Sequence, residues 1–75
     1  MSHSENSTVI ITSEYIELNK LLKFENLVES GGQAKQVIAE GLVKLNGEVV
    51  LQTRKKVFNG DVVEFAEHYL RIVAA

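Results

Sequence analysis

Cysteine, proline and tryptophan are all missing from this chain, and only five residues are aromatic. Without cysteine no disulfide can constrain the unfolded state, and no His/Cys cluster has metal-ligand spacing, so packing alone must hold the fold. No apolar run approaches the roughly 20 residues that span a bilayer. The opening "MSHSENST" has neither the basic region nor the apolar stretch of a signal peptide, so the expected location is the cytoplasm, in keeping with the lack of cysteine. No paired carboxylates, nucleophile–base pair or phosphate loop can be found, and neither His3 nor His68 falls in a catalytic pattern. The expectation is therefore no catalysis, no cofactor and no metal. The aromatics, Tyr15, Phe24, Phe58, Phe65 and Tyr69, do not interleave with basic residues as a base-stacking platform would.

What is present is enough apolar residue, 45% of 75 positions, to build one small core. The formal net charge of −2 conceals an uneven distribution. Between Lys20 and Lys56 seven basic residues face four acidic ones, whereas the segments before and after carry net charges of −3 and −2. A basic middle between acidic ends points to a local binding face for a polyanion. Its densest part is "TRKK", Thr53 to Lys56, within a segment from Gln52 to Lys56 that reads as a connection or hairpin arm with its charges in water.

Residues 1–7 are polar and aperiodic and are expected to form a disordered tail, with one domain over 8–75. "TVIIT", Thr8 to Thr12, is β-branched and suits a strand joining the end of a sheet. Ser13 then offers a cap for a helix whose apolar stripe is Leu18, Leu21 and Leu22. Ser30 and Gln33 have capping-box spacing before a second stripe, Ala34, Val37 and Ile38, which Gly41 ends. The short linker predicts that the two helices pack together. After Gly41 the period changes to two: Val43 and Leu45 alternate with Lys44 and Asn46, and Asn46-Gly47 marks a hairpin returning through Val49 to Leu51. A turn at Asn59-Gly60-Asp61 precedes strands over Val62 to Ala66 and Tyr69 to Val73, with His68 in a turn between them. The result is an α+β fold, two packed helices followed by a small, mostly antiparallel sheet.

Residues Glu17 to Phe65 resemble the S4-type RNA-binding domain, and within it the small stand-alone bacterial YbcJ-like version. The elements carrying the resemblance are "LNKLL" in the first helix, the Ser30, Gln33, Ala34, Lys35 opening of the second, "EGLVKLNGE" and "NGD". It implies an αL RNA-binding motif holding structured RNA, with ribosomal RNA the first candidate, across the helix pair and the adjoining strand and loop. Carried onto this chain, it singles out Lys20, Ser30, Gln33, Lys35, Lys44, Asn46, Arg54, Lys55 and Lys56. Ser30 and Gln33 are also claimed by the helix cap, and Asn46 by its turn. At Glu17 and Gly31 many members are basic, so weaker, more structure-dependent binding is expected here.

Two other classes compete. The pair "LNGEVV" and "NGDVVEF" would suit a β-grasp sulfur carrier, but the expected terminal Gly-Gly is replaced by Ala74-Ala75. A protein-interaction module using the same basic face on an acidic partner is the alternative to RNA.

Overall fold

In the computed structural model residues 5–75 are described. The elements in chain order are β1 (Glu5–Ile11), β2 (Tyr15–Glu17), α1 (Leu18–Phe24), α2 (Gly31–Ala39), β3 (Val43–Leu45), β4 (Glu48–Val49), β5 (Lys56–Phe58), β6 (Val62–Phe65) and β7 (His68–Ala74). Five strands form one sheet in the order β1-β7-β6-β3-β4, and β2 pairs with β5 in a separate two-stranded ribbon. Among the described residues only the β1–β7 pairing is parallel. The sheet is therefore mostly antiparallel, as the sequence indicates.

The core is apolar throughout. Leu18, Leu21 and Leu22 of α1 and Ala34 and Ile38 of α2 are fully buried with Val43, Val57, Val63 and Ile72 from the strands, and no polar or charged residue is buried among the described residues. Helix α2 forms because its ends are chemically marked. The Ser30 Oγ accepts a hydrogen bond from the Gln33 N–H at 3.1 Å, and the Gln33 Oε1 accepts one from the Glu29 N–H at 2.6 Å. At the far end Gly41, at φ +76°, donates to Ile38 and Leu42 donates to Val37, the Schellman pattern. Helix α1 ends the same way with Asn26 in the left-handed position: Asn26 donates to Lys23 and Leu27 to Leu22.

Four expectations need correcting. Strand β1 begins at Glu5, so residues 5–7 of the expected disordered tail are strand; the rest of that tail lies outside the described residues. Ser13 caps no helix: its hydroxyl donates to the Tyr15 carbonyl, and Tyr15–Glu17 forms β2. Lys56 opens β5, so the expected Arg54–Lys56 loop ends one residue earlier, with the Lys56 side chain exposed as expected. His68 opens β7 rather than lying in a turn. The hairpin at Asn46-Gly47 occurs as read, with φ of 52° and 86°, the type I′ combination, although β4 is shorter than expected.

The turn joining β6 to β7 has the same backbone with unfavourable residues. Ala66 and Glu67 sit at φ 51° and 68°, a region that costs an L-residue roughly 1–2 kcal/mol. Both side chains are exposed, so little packing is lost on replacing them. The double variant Ala66→Asn/Glu67→Gly is expected to unfold at higher urea concentration, with stability raised by about 1–2 kcal/mol. An unchanged midpoint would show that the ladders on either side impose no strain on this turn.

Candidate nucleic-acid interface

Helix α1 has only seven residues, no side-chain cap at Glu17 and no acidic residue in its first turn. Helices so short do not persist alone, and their leading N–H groups need acceptors. The basic segment supplies them. The Leu18 N–H donates to the Lys55 carbonyl at 2.8 Å and the Asn19 N–H to the Thr53 carbonyl at 3.1 Å. A turn closed by the Lys55 N–H on the Gln52 carbonyl at 3.2 Å completes the loop. "TRKK" is thus fixed by its backbone to the start of α1 while the side chains of Arg54, Lys55 and Lys56 point into solvent.

The β2–β5 ribbon continues this surface. Register sets Tyr15 opposite Phe58, Ile16 opposite Val57 and Glu17 opposite Lys56. Val57 is buried and Ile16 packs against the core, so the alternation puts Tyr15, Glu17, Lys56 and Phe58 on the outer face. The Lys56 Nζ lies 4.8 Å from the centre of the Tyr15 ring, a cation–π distance. The Tyr15 and Phe58 rings are 5.8 Å apart and tilted by 47°. Glu17 also forms an ion pair with Lys20, Nζ to Oε1 3.3 Å. The Lys20 side chain is 71% exposed, so the pair is a weak, solvated contact.

The sequence-derived candidates separate into groups. Arg54, Lys55, Lys56 and Lys20 come together around the start of α1 and the ribbon, and Lys23 is exposed on the same helix. Lys35 is exposed on α2. Ser30 and Gln33 are both engaged in the α2 cap. The Asn46 side chain joins two turns, with Nδ2 donating to Asp61 Oδ1 at 3.0 Å and Oδ1 accepting from the Val62 N–H at 2.9 Å. Lys44 is exposed between buried Val43 and half-buried Leu45, on the side of the sheet away from the core, and pairs across strands with Val49 and Glu64. Of these neighbours Val49 lines a groove that Lys55 also borders, and Glu64 sets a carboxylate opposite Lys44.

Sequence reasoning missed Tyr15 and Phe58 as neighbours of the basic cluster. The available signal was the matching pattern of "YIE" and "KVF", each with an apolar residue between two that face solvent. Assigning Ser13 as a helix cap absorbed Tyr15 into α1 and hid it. The "NGD" segment is structural: the Asp61 carboxylate accepts from the Phe58 N–H at 2.8 Å, and the Asn59 Oδ1 accepts from the Ala74 N–H at 2.9 Å.

Among the described residues no group of acidic, cysteine and histidine side chains is placed to hold a metal ion, and no helix is long and apolar enough to cross a membrane.

Comparison with known proteins agrees with this architecture. The solution structure of YbcJ from Escherichia coli, described as revealing an αL motif involved in RNA binding, superposes with a TM-score of 0.67 at 42% identity, covering 99% of this chain and 92% of that one. In sequence, YbcJ of Escherichia coli (strain K12) is 48% identical over 60 residues, 80% of this chain and 86% of the relative. The Bacillus subtilis (strain 168) protein named "Probable ribosome maturation protein RlbA" is 38% identical over 56 residues, 75% of this chain and 79% of the relative. The model of the S4 domain family matches residues 9–73, and the chain belongs to that family.

Proposed function

We propose that this protein binds structured RNA without catalysis, through the basic surface formed by the 53–56 segment, α1 and the exposed side of α2. The observation that carries the reading is the pair of hydrogen bonds from the first N–H groups of α1 to the Thr53 and Lys55 carbonyls. They turn a run of positive charge into a positioned one, so that a phosphate backbone of fixed shape can meet several cations without ordering a loop. Arg54 is the bidentate contact, because its planar guanidinium offers paired donors. Lys55, Lys56, Lys20 and Lys35 act as point charges. Ser30, Gln33 and Asn46 serve by holding the backbone. The description of YbcJ as carrying an αL motif involved in RNA binding supports this reading, and the name of the Bacillus subtilis relative points to ribosomal RNA as the first target to try.

The expected footprint is about four phosphates, which gives a fall in affinity of roughly 50- to 150-fold between 50 and 200 mM salt. Titrating the protein into a ribosomal RNA fragment at several salt concentrations measures that slope. In the same assay Glu17→Arg, which removes a carboxylate and releases Lys20, is expected to steepen the dependence by one to two contacts. Absence of binding at 50 mM salt would overturn the proposal.

An acidic protein partner is the second reading, favoured by one observation. Val49 and Leu51, 53% and 64% exposed, line an open groove whose rim includes Lys55. Exposed apolar area beside a cation is a common feature of protein interfaces. Binding to a purified acidic protein that survives nuclease treatment, with no affinity for RNA, would select it.

A further inference from the structure

The outer face of the β2–β5 ribbon places an exposed aromatic ring beside three consecutive positions of positive charge. Phe58 is 42% exposed, although a phenylalanine in a domain this small contributes more to stability when buried. Its position is nonetheless firmly set. The Phe58 N–H is held by the Asp61 carboxylate, its carbonyl accepts from the Asp61 N–H at 3.0 Å, and the Tyr15 ring rests against it on the facing strand. Lys56, two residues earlier on the same face of β5, lies over the Tyr15 ring. Arg54 and Lys55 precede it on the anchored loop. Of the six ribbon residues only Glu17 carries a carboxylate, and it lies 3.3 Å from Lys20 in a solvated ion pair.

From this arrangement we infer that Phe58 is a stacking platform for one unpaired nucleobase of the bound RNA, buttressed by Tyr15, with the adjoining phosphate held by Lys56. The inference rests on the proposed RNA binding and adds a specificity to it: preference for RNA that presents an unpaired base next to a helical stem. A base ring laid on Phe58 covers apolar surface now facing water, and every base has a π-face to offer, so the preference concerns pairing state rather than sequence. Lys56 is within reach of both roles, cation over Tyr15 in the free protein and phosphate contact in the complex. An RNA occupant is favoured over an apolar protein segment because the ring is bordered by Lys56 and, along the chain, by Lys55 and Arg54.

The test compares a fully paired RNA duplex with the same duplex carrying a single bulged 2-aminopurine, both at 50 mM salt. Wild type is expected to bind the bulged duplex about 5- to 150-fold more tightly, the range that base–aromatic stacking carries, and to change its 2-aminopurine fluorescence. Phe58→Ala is expected to bind both duplexes alike, with the wild-type affinity and salt slope for the paired one. Phe58→Trp retains the preference, and its indole, the chain's only tryptophan, is quenched by the bulged duplex and not by the paired one. Equal binding of the two duplexes by wild type, or an undiminished preference in Phe58→Ala, overturns the platform while leaving RNA binding in place. Failure of wild type to bind either duplex removes the RNA reading and the platform with it.

Discussion

The Arg54/Lys55/Lys56→Ala variant is expected to lose RNA affinity by two to three orders of magnitude at 50 mM salt while its stability stays within about 1 kcal/mol of wild type. The first half follows from counterion release: each phosphate contact contributes about tenfold at this salt concentration, and the variant removes three of the five cations proposed to share a footprint of about four phosphates. The slope of affinity against salt should accordingly fall from about three to about one. The second half follows from how the loop is attached. Its structural contribution to α1 comes from the carbonyls of Thr53 and Lys55, which alanine retains. The principal side-chain interaction that the variant removes is that of Lys56 with the Tyr15 ring, worth about 0.5–1 kcal/mol at an exposed site. Urea titration of both proteins measures the stability and fluorescence anisotropy with labelled RNA the affinity. A variant that binds as tightly as wild type would mean that the segment is only solvated charge.

This separation of charge from scaffold explains which parts of the molecule could be read from the sequence. Helix α2 was legible from end to end because Ser30, Gln33 and Gly41 act within a few residues of their own positions. The Asn46-Gly47 turn was legible for the same reason, since its residues satisfy the local backbone requirement directly. The place of β1 at the sheet edge followed from a short β-branched run, although its first residues, Glu5 and Asn6, are polar and gave no such sign. What could not be read depends on partners distant in sequence. Strand β2 exists because Tyr15–Glu17 finds Lys56–Phe58 some forty residues later, and neither segment is long enough to declare itself. The β6–β7 turn is carried by Ala66 and Glu67, which have no turn preference and are held by the ladders beside them.

The candidate site divides along the same line. The positive charge was visible as composition, and Arg54, Lys55 and Lys56 were legible as its densest part. Which cations share a surface was not visible. Lys20 is paired with Glu17 three residues earlier, and Lys44 stands opposite Glu64 across the β3–β6 ladder, the second a consequence of register. Ser30, Gln33 and Asn46 each accept a backbone N–H on a side-chain oxygen, so each has a structural role in the motif whether or not it also meets RNA.

Leu18→Ala is the complementary experiment, and it carries the largest stability effect. Leu18 is fully buried, and its N–H is the one that holds the Lys55 carbonyl, so the cavity would open directly beneath the junction of α1 and the basic loop. Leucine-to-alanine changes in cores cost about 2–5 kcal/mol. A domain of this length has roughly 4–11 kcal/mol in total, so the variant should lose a large share of it and melt roughly 10–30 °C lower. No cation is removed, and the molecules that stay folded at low temperature should bind RNA with the wild-type salt slope. Measured together, the two variants move in opposite directions: one loses binding at nearly constant stability, the other loses stability at constant slope. A shallower slope in Leu18→Ala would show instead that the charges are positioned by the packing beneath them, and that the two backbone hydrogen bonds alone do not hold the loop in place.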